Sequence, residues 1–526
     1  MGLDPSSLDV PLFKEYLVNG DGDGKDELLE SLYMAYDLCT ERGHEDLVAA
    51  CEECGYEPDG KPEIRRMEEA LFEVFKKGRG PNVHFDDVEE ITGLIEDLSP
   101  ELNEGQRAAV LTSLTHFISL VSGGAGSGKT HLASAIIKIC EKQELSVVLC
   151  APTGKAAKRM EQATGHAAST VHRLLGYDGK NFALGPEDPI DADLVIVDEV
   201  SMVDVALAWH LFRSIDLHRT VVVLIGDHNQ LPPVGPGNIL RDLVETKILP
   251  MVILDKVVRQ AGVLKENCIA ILKGDVRKSA NKNLSGKCSW HLADGFKEVQ
   301  DVQQFIFELF DQTLEHHMGF NLINDVQLLT PTHKGPLGTV ELNIKLQKLL
   351  QRKLWGVHVP DTPPGRRPKF HAFDKVIQTR NNYDLGVMNG AMGVIMDLHK
   401  DGSMLINFDG MPVEIGAGSE NIRDLQLAYA LTFHRCQGSE FPCAIVIVHK
   451  SHSFMHHRNL FYTGVTRAKE SVIIVGDHWG IRNCVDKRLV ENRKTFLSFL
   501  LTAGPSRSGA ESVKPADLMA AMEEHG

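Results

Sequence analysis

No stretch of the 526-residue chain approaches the ~18 consecutive apolar residues that a membrane helix needs. No basic-then-apolar leader opens it either, so neither a membrane span nor a secretory route is expected. The 10 cysteines lack the even, paired spacing of a disulfide framework. Several, such as Cys140 and Cys150, fall inside apolar runs, which fits reduced thiols in a cytoplasmic setting. A surplus of positive charge is also lacking, since the formal net charge is −17. Residues 1–100 hold 9 Lys+Arg against 26 Asp+Glu and so account for that whole imbalance. The remainder is neutral and has room for a local basic channel. Net charge bears on solubility and steering rather than on fold. The length exceeds what one core supports, so three or four domains are expected.

What is present begins with VSGGAGSGKT at 121–130. It fits G-x-x-x-x-G-K-[ST], from Gly123 through Gly124, Ala125, Gly126, Ser127 and Gly128 to Lys129 and Thr130. An apolar run, 117–121, precedes it, and Leu132, Ala135, Ile136 and Ile139 share one helical face after it. Glycines let the backbone wrap a phosphate chain, and the helix N-terminus directs its free N–H groups at the anion. Lys129 would reach the β- and γ-phosphates, and Thr130 would ligate Mg²⁺. The chain is expected to bind a nucleoside triphosphate with Mg²⁺.

Residues 1–100 show apolar residues at helical spacing over 26–39, 45–54, 63–77 and 85–98. NGDGDGKDELLE at 19–30 has calcium-loop spacing, yet Asn19 stands where the first Asp belongs and no second loop pairs with it. We read it as a polar turn, with calcium as the alternative. Cys39, His44, Cys51 and Cys54 contain one C-x-x-C and read as helix cysteines rather than a zinc site. From Leu102 onward strands alternate with helices, which implies parallel sheet. Candidate strands are 117–122, 146–151, 194–198 and 221–226, then a second set at 252–255, 326–330, 444–449 and 472–476. Around 352–423 the texture changes to short strands with Asp401-Gly402 and Asp409-Gly410 as hairpin turns, a small antiparallel barrel. YDGKNF at 177–182 is a further candidate hairpin. A Gly/Pro/Ser-rich linker at 503–509 leads to a tail with a short amphipathic segment, 516–524, read as frayed with partner docking as the alternative.

Two further strand ends carry chemistry. LVIVDE at 194–199 places Asp198 and Glu199 where a triphosphatase needs one carboxylate for Mg²⁺ and one for water. Gln230 follows another apolar strand and is placed to contact both the γ-phosphate and a nucleic acid. Arg259 and Arg467 are candidate cations for the transition-state charge.

These motifs, with APTGKAA at 151–157, VDEVSM at 197–202, GDHNQLPPV at 226–234, VRQ at 258–260, LTFHRCQGSE at 431–440 and YTGVTRAK at 462–469, stand in a familiar order. The chain resembles superfamily 1 DNA helicases, most nearly the RecD/Dda branch, superfamily 1B; NNYDLGVMNG at 381–390 is also RecD-like. The resemblance covers about 100–500. It implies an α/β fold of two RecA-like P-loop lobes, with ATP between them, an inserted SH3-like β-barrel, and a helical N-terminal domain outside the match. The corresponding divisions are 1–100, lobe 1 at 101–245 with a pin hairpin near 176–190, lobe 2 at 246–351 and 424–502, the barrel at 352–423, and a tail from 503.

The same resemblance implies that Gln106 reads adenine and that Arg259 and Arg467 reach the γ-phosphate from the second lobe. It implies that Pro152, Thr153, Lys155, His172, Thr432 and His434 meet single-stranded DNA, with Tyr177 or Phe182 at the point where the duplex splits. Cys436 replaces the usual Ser or Ala, and the pin is short. The function implied is an ATP-dependent 5′→3′ helicase on single-stranded DNA and duplex junctions. Such a motor would be monomeric and cytoplasmic, nucleoid-associated or in a phage's host. A protein partner would meet 1–100 or the tail. The alternatives are a RecD-like motor subunit of a recombination nuclease complex and a nucleotide-switched DNA- or protein-binding module.

Overall fold

The computed structural model of the protein describes residues 63–503, without 83, 86, 125, 255–262, 278–289, 362–368, 383 and 489–494. The expected helices 26–39 and 45–54, the 19–30 turn, Cys39, His44, Cys51, Cys54, Ala125, Arg259 and the tail segments 504–509 and 516–524 lie outside the described residues.

Six parallel strands form the first sheet: β1 (Ile118–Gly123), β2 (Val147–Ala151), β3 (Ala168–Thr170), β4 (Leu194–Val197), β5 (Val221–Gly226) and β6 (Met251–Leu254). Their order is β3-β2-β4-β5-β1-β6. Successive residues of β4 serve opposite faces: Val195 and Val197 join one core, Leu194 and Ile196 the other. Burial on both faces explains why these strands read as unbroken apolar runs. β6 was expected to open the second lobe, but it pairs with β1 as the edge of the first sheet.

The chain then lays β7 (Trp290–Ala293) and β8 (Val326–Thr330) in a second parallel sheet. It leaves for β9 (Lys375–Gln378), β10 (Met392–Leu398), β11 (Met404–Phe408), β12 (Met411–Ile415) and β13 (Leu425–Leu427). It returns for β14 (Ala430–Thr432), β15 (Phe441–Val448) and β16 (Ala468–Gly476). The second sheet has the order β14-β8-β15-β16-β7, and the inserted sheet is antiparallel, β12-β11-β10-β9-β13. Asp409 (φ +48) and Gly410 (φ +92) turn β11 into β12 with the two left-handed residues a tight hairpin prefers. β13 lies beyond the expected 352–423 limit.

The helices Glu63–Gly78 and Val88–Leu98 form where helical spacing was read. They are not a separate body. Met67, Leu71 and Phe75, four residues apart, join one core of the first sheet, and the Phe75 ring meets Phe212 edge-on at 5.1 Å. Ile91 and Ile95 join the other core, and Asp87 caps their helix through the N–H groups of Glu89 and Glu90. The acidic stretch was expected to stand apart, yet from residue 63 it covers both faces of lobe 1.

Lobe 1 also holds the last described helix, Phe496–Ala503, expected in lobe 2. Leu497 and Leu501 enter the same core as Phe75. Thr495 Oγ1 donates to Asp242 Oδ2 at 2.6 Å, and the Leu497 N–H donates to Glu68 Oε1 at 3.2 Å. Among the described residues Cys140, Cys150, Cys268, Cys436, Cys443 and Cys484 are free and buried, and no helix is long and apolar enough to cross a membrane.

Burial raises the Asp242 carboxyl to about 7; the Thr495 hydroxyl opposes the shift, while Glu68 and Glu245 add to it. A carboxyl raised in the folded state favours folding while protonated, and that contribution is lost as pH rises through about 7. Asp242→Asn keeps an acceptor for Thr495 and removes the charge. Its apparent Tm is expected to exceed the wild type's by about 2–4 °C at pH 8 and by less at pH 6. A gap that does not widen between those pH values, measured by thermal denaturation, would refute this account.

Candidate functional site

The glycine-rich loop runs from the end of β1 into the helix Lys129–Lys142. Gly126 (φ +75) and Gly128 (φ +88) hold the left-handed conformations that turn the loop. A side chain at Gly123 would meet Ser127 Oγ at 2.5 Å. Lys129 Nζ folds back over the loop and donates to the Gly123 and Gly124 carbonyls at 2.5 and 3.1 Å. Gln106 stands beside it: its amide donates to the Ser127 carbonyl at 3.4 Å, while its Oε1 accepts the Asn103 N–H at 3.1 Å as half of a capping box.

Asp198 and Glu199 leave the end of β4 side by side and buried. Burial first, then the Glu199 charge, pushes the Asp198 carboxyl up to about 6, against Arg159 and Lys129. Glu199 has φ +54, uncommon for a residue with a side chain, and its Oε2 is buried with no hydrogen-bond partner. Gln230 donates to Asp227 Oδ2 at 3.4 Å and leaves its own Oε1 unpartnered.

Lobe 2 closes the far side. Arg467 is 2% exposed and is held by the Thr463 carbonyl (3.0 Å), the Ser439 carbonyl (3.3 Å) and Thr466 Oγ1 (3.2 Å). Lys129, Thr130, Glu199, Gln230, Gln106 and Arg467 line one cavity of about 330 Å³. Arg159 and Glu440 share that wall, joined at 3.1 Å, and neither was singled out from the sequence. The available signal was spacing, since Arg159 falls one helical turn after Lys155 in the helix Gly154–Thr164.

The lobes are also stitched behind the cavity. The Tyr462 hydroxyl donates to Asp227 Oδ2 (3.1 Å), the Leu231 N–H to Thr463 Oγ1 (2.9 Å), and Gln437 Nε2 to the Leu231 carbonyl (3.2 Å).

The residues assigned to nucleic acid divide into two groups. Pro152 and Thr153 follow β2, and the Thr153 hydroxyl caps the next helix by accepting the Ala156 N–H at 3.3 Å. Lys155 turns toward the Phe441 ring, 5.4 Å from its centroid; Lys375 lies 5.7 Å from the same ring. Burial lowers the Lys155 ammonium, and burial with the Lys155 charge lowers Lys375 to about 7. Thr432 is buried, accepting the Arg435 N–H at 3.4 Å, and burial keeps His434 toward its neutral form.

The second group is aromatic. Phe182 packs 4.1 Å from His210, 4.7 Å from Tyr177 and 5.8 Å from His172, centroid to centroid. The expected hairpin is absent here. Between 176 and 190 only the single bridge Gly185–Asp188 forms. The Asp178 carboxylate takes the Lys180 and Asn181 N–H groups, at 2.8 and 2.7 Å, that a strand ladder would have used.

Three family models match this chain in order: the AAA domain over 101–287, the ATP-dependent RecD-like DNA helicase SH3 domain over 342–408, and the UvrD-like helicase C-terminal domain over 427–475. The chain is 37% identical over 376 residues to the ATP-dependent RecD2 DNA helicase of Deinococcus radiodurans, covering 70% of this chain and 48% of that one. It thus spans about half the length of that relative. It is 27% identical over 444 residues to the RecBCD enzyme subunit RecD of Mycolicibacterium smegmatis, 76% of each. A solved Pif1 helicase from Bacteroides, in complex with ADP-AlF3 and ssDNA, aligns with TM-score 0.44 at 20% identity over 78% of this chain and 96% of that one. That likeness is too loose to assign residues.

Lys129→Ala removes the loop's cation. It is expected to weaken binding of a fluorescent ATP analogue by about tenfold or more, the cost of one charged hydrogen bond. Unchanged affinity in a titration, with the fold intact by circular dichroism, would exclude this cavity as the triphosphate site.

Proposed function

Because the chain is RecD-like across both lobes and the domain between them, we propose that it is an ATP-dependent 5′→3′ translocase and helicase on single-stranded DNA. The observation that carries this is the split cavity. The phosphate loop, Glu199 and Gln230 belong to lobe 1, and Arg467 reaches the same space from lobe 2.

In this reading Lys129 releases the loop carbonyls and turns to the triphosphate. Thr130 and Asp198 would hold Mg²⁺, whose charge offsets that of the phosphates. The adjacent buried Asp198 and Glu199 fit a cation, since Asp198 carries its negative charge at a cost. Glu199, strained and with a free oxygen, orients the attacking water and takes its proton. Arg467, fixed by three acceptors before any ligand arrives, meets developing charge without reorganising.

Triphosphate therefore favours closed lobes, and hydrolysis removes the differential contact. Thr153, Lys155 and His172 on one lobe and Thr432 and His434 on the other would alternate their grip, with base stacking worth ~1–3 kcal/mol per base. The aromatic cluster around Phe182 stands in for a pin. We assign the motor to single strands and duplex junctions as a monomer.

The test uses the purified chain on 5′-tailed and 3′-tailed duplexes. Unwinding is expected only with the 5′ tail. Glu199→Gln is expected to bind ATP and turn it over ~10²–10⁴-fold more slowly. Unwinding from the 3′ tail alone would reverse the polarity. DNA-stimulated hydrolysis without unwinding would favour a motor subunit that needs a partner.

A further inference from the structure

An ion pair between the lobes stands in the cavity wall. Arg159 Nη1 lies 3.1 Å from Glu440 Oε1, and Lys469 Nζ lies 3.6 Å from Glu440 Oε2. Arg159 belongs to lobe 1 and Glu440 to lobe 2, so the pair spans the cleft. Their side chains are 31% and 21% exposed, which makes this a partly desolvated contact and stronger than a surface ion pair. Glu440 is the largest charge acting on Arg159, followed by Glu199 and Asp198, and together they keep the guanidinium charged against its burial.

The placement of each partner is telling. Arg159 sits one turn along the helix that opens with Thr153 and Lys155, on the same face as Lys155. Glu440 ends the segment that starts with Thr432 and His434. Between them Gly438 (φ +71) packs on the first turn of that helix, where a Cβ would lie 3.5 Å from both Thr153 Oγ1 and Ala156 Cβ. Each of these stretches therefore runs from a residue assigned to DNA to a charge in the nucleotide cavity.

We propose that the Arg159–Glu440 ion pair is a latch coupling strand binding to hydrolysis, with Glu440 positioning Arg159 away from the triphosphate until DNA shifts the two elements. The proposal rests on the helicase reading above. While the latch is closed, Glu440 holds the guanidinium against lobe 2. When a strand engages both grips, the 431–440 segment slides on the helix Gly154–Thr164 and the guanidinium turns to the phosphates. Glu440 acts through Arg159 and is a positioning residue.

ATP turnover by the full chain, with and without saturating oligothymidylate, tests this in wild type, Glu440→Gln, Arg159→Gln and the double variant. Supplying an arginine to a phosphoryl transition state is worth ~10³–10⁵ in rate, so partial release in Glu440→Gln is expected to raise DNA-free kcat about fivefold or more. Arg159→Gln is expected to lose most of the DNA-dependent increment, and the double variant to behave like Arg159→Gln. Lost packing alone would lower the rate rather than raise it. A DNA-free rate in Glu440→Gln at or below wild type, or a gain that survives in the double variant, overturns the latch. Absence of DNA stimulation in the wild type would instead fail the helicase reading. In that case a gain in Glu440→Gln that vanishes in the double variant still supports the restraint of Arg159 by Glu440.

Discussion

Asp227 ties the two lobes into one machine. Its carboxylate is fully buried at the end of β5 and accepts hydrogen bonds from Gln230 of its own lobe and from the Tyr462 phenol of the other. A buried carboxylate left short of donors is costly, so each donor resists withdrawal. Leu231 extends the seam, its N–H and carbonyl both engaged by lobe 2. Gln230, one residue before Leu231 and three after Asp227, lines the cavity. Whatever moves Gln230 acts directly on the bonds that set the lobe spacing. The phosphate loop enters the seam as well, because a side chain at Gly124 would stand 2.9 Å from the Tyr462 hydroxyl oxygen. Glycine there serves the inter-lobe approach as much as the phosphates.

Much of this was legible in the sequence because parallel strands buried on both faces leave apolar runs that local reading detects. The runs at β1, β4, β5, β8 and β15 located the lobes, and those of β1, β4 and β5, each followed by a cavity-lining residue, located most of the cavity. Short strands were not legible. β3, β13 and β14 have three residues each, too few for any period to show. The lobe to which an element belongs was also hidden, since it is decided by partners distant in sequence. The stripe Met67, Leu71, Phe75 announces that a face must be buried, but not on what. β6 likewise reads as a strand without saying that β1 is its neighbour.

The site shows the same division. Most of the site residues came out of contiguous motifs, whereas the pairing of Arg159 with Glu440, itself the last residue of the 431–440 motif, depends on two chain segments that meet 281 positions apart. The candidate pin failed for a local reason. An Asp-Gly pair promises a hairpin, but Asp178 spends its carboxylate on the neighbouring N–H groups, and the loop takes its support from the rings of Tyr177 and His210. Lys155 shows a further limit of motif reading. The motif gave its identity, while only the fold reveals that it shares the Phe441 ring with a second lysine.

The docking of the helix Phe496–Ala503 on lobe 1 changes what kind of joint the lobes form. The chain passes from lobe 1 to lobe 2 after Leu254 and comes home before Thr495, so lobe 2 is attached at two places rather than at one. A body tethered once is free to swivel about every axis. Tethered twice, it turns chiefly about the line joining its anchors, as a door does on a pair of pins. Opening and closing of the cleft is then funnelled into one rotation, and thermal agitation is less able to twist the lobes out of register.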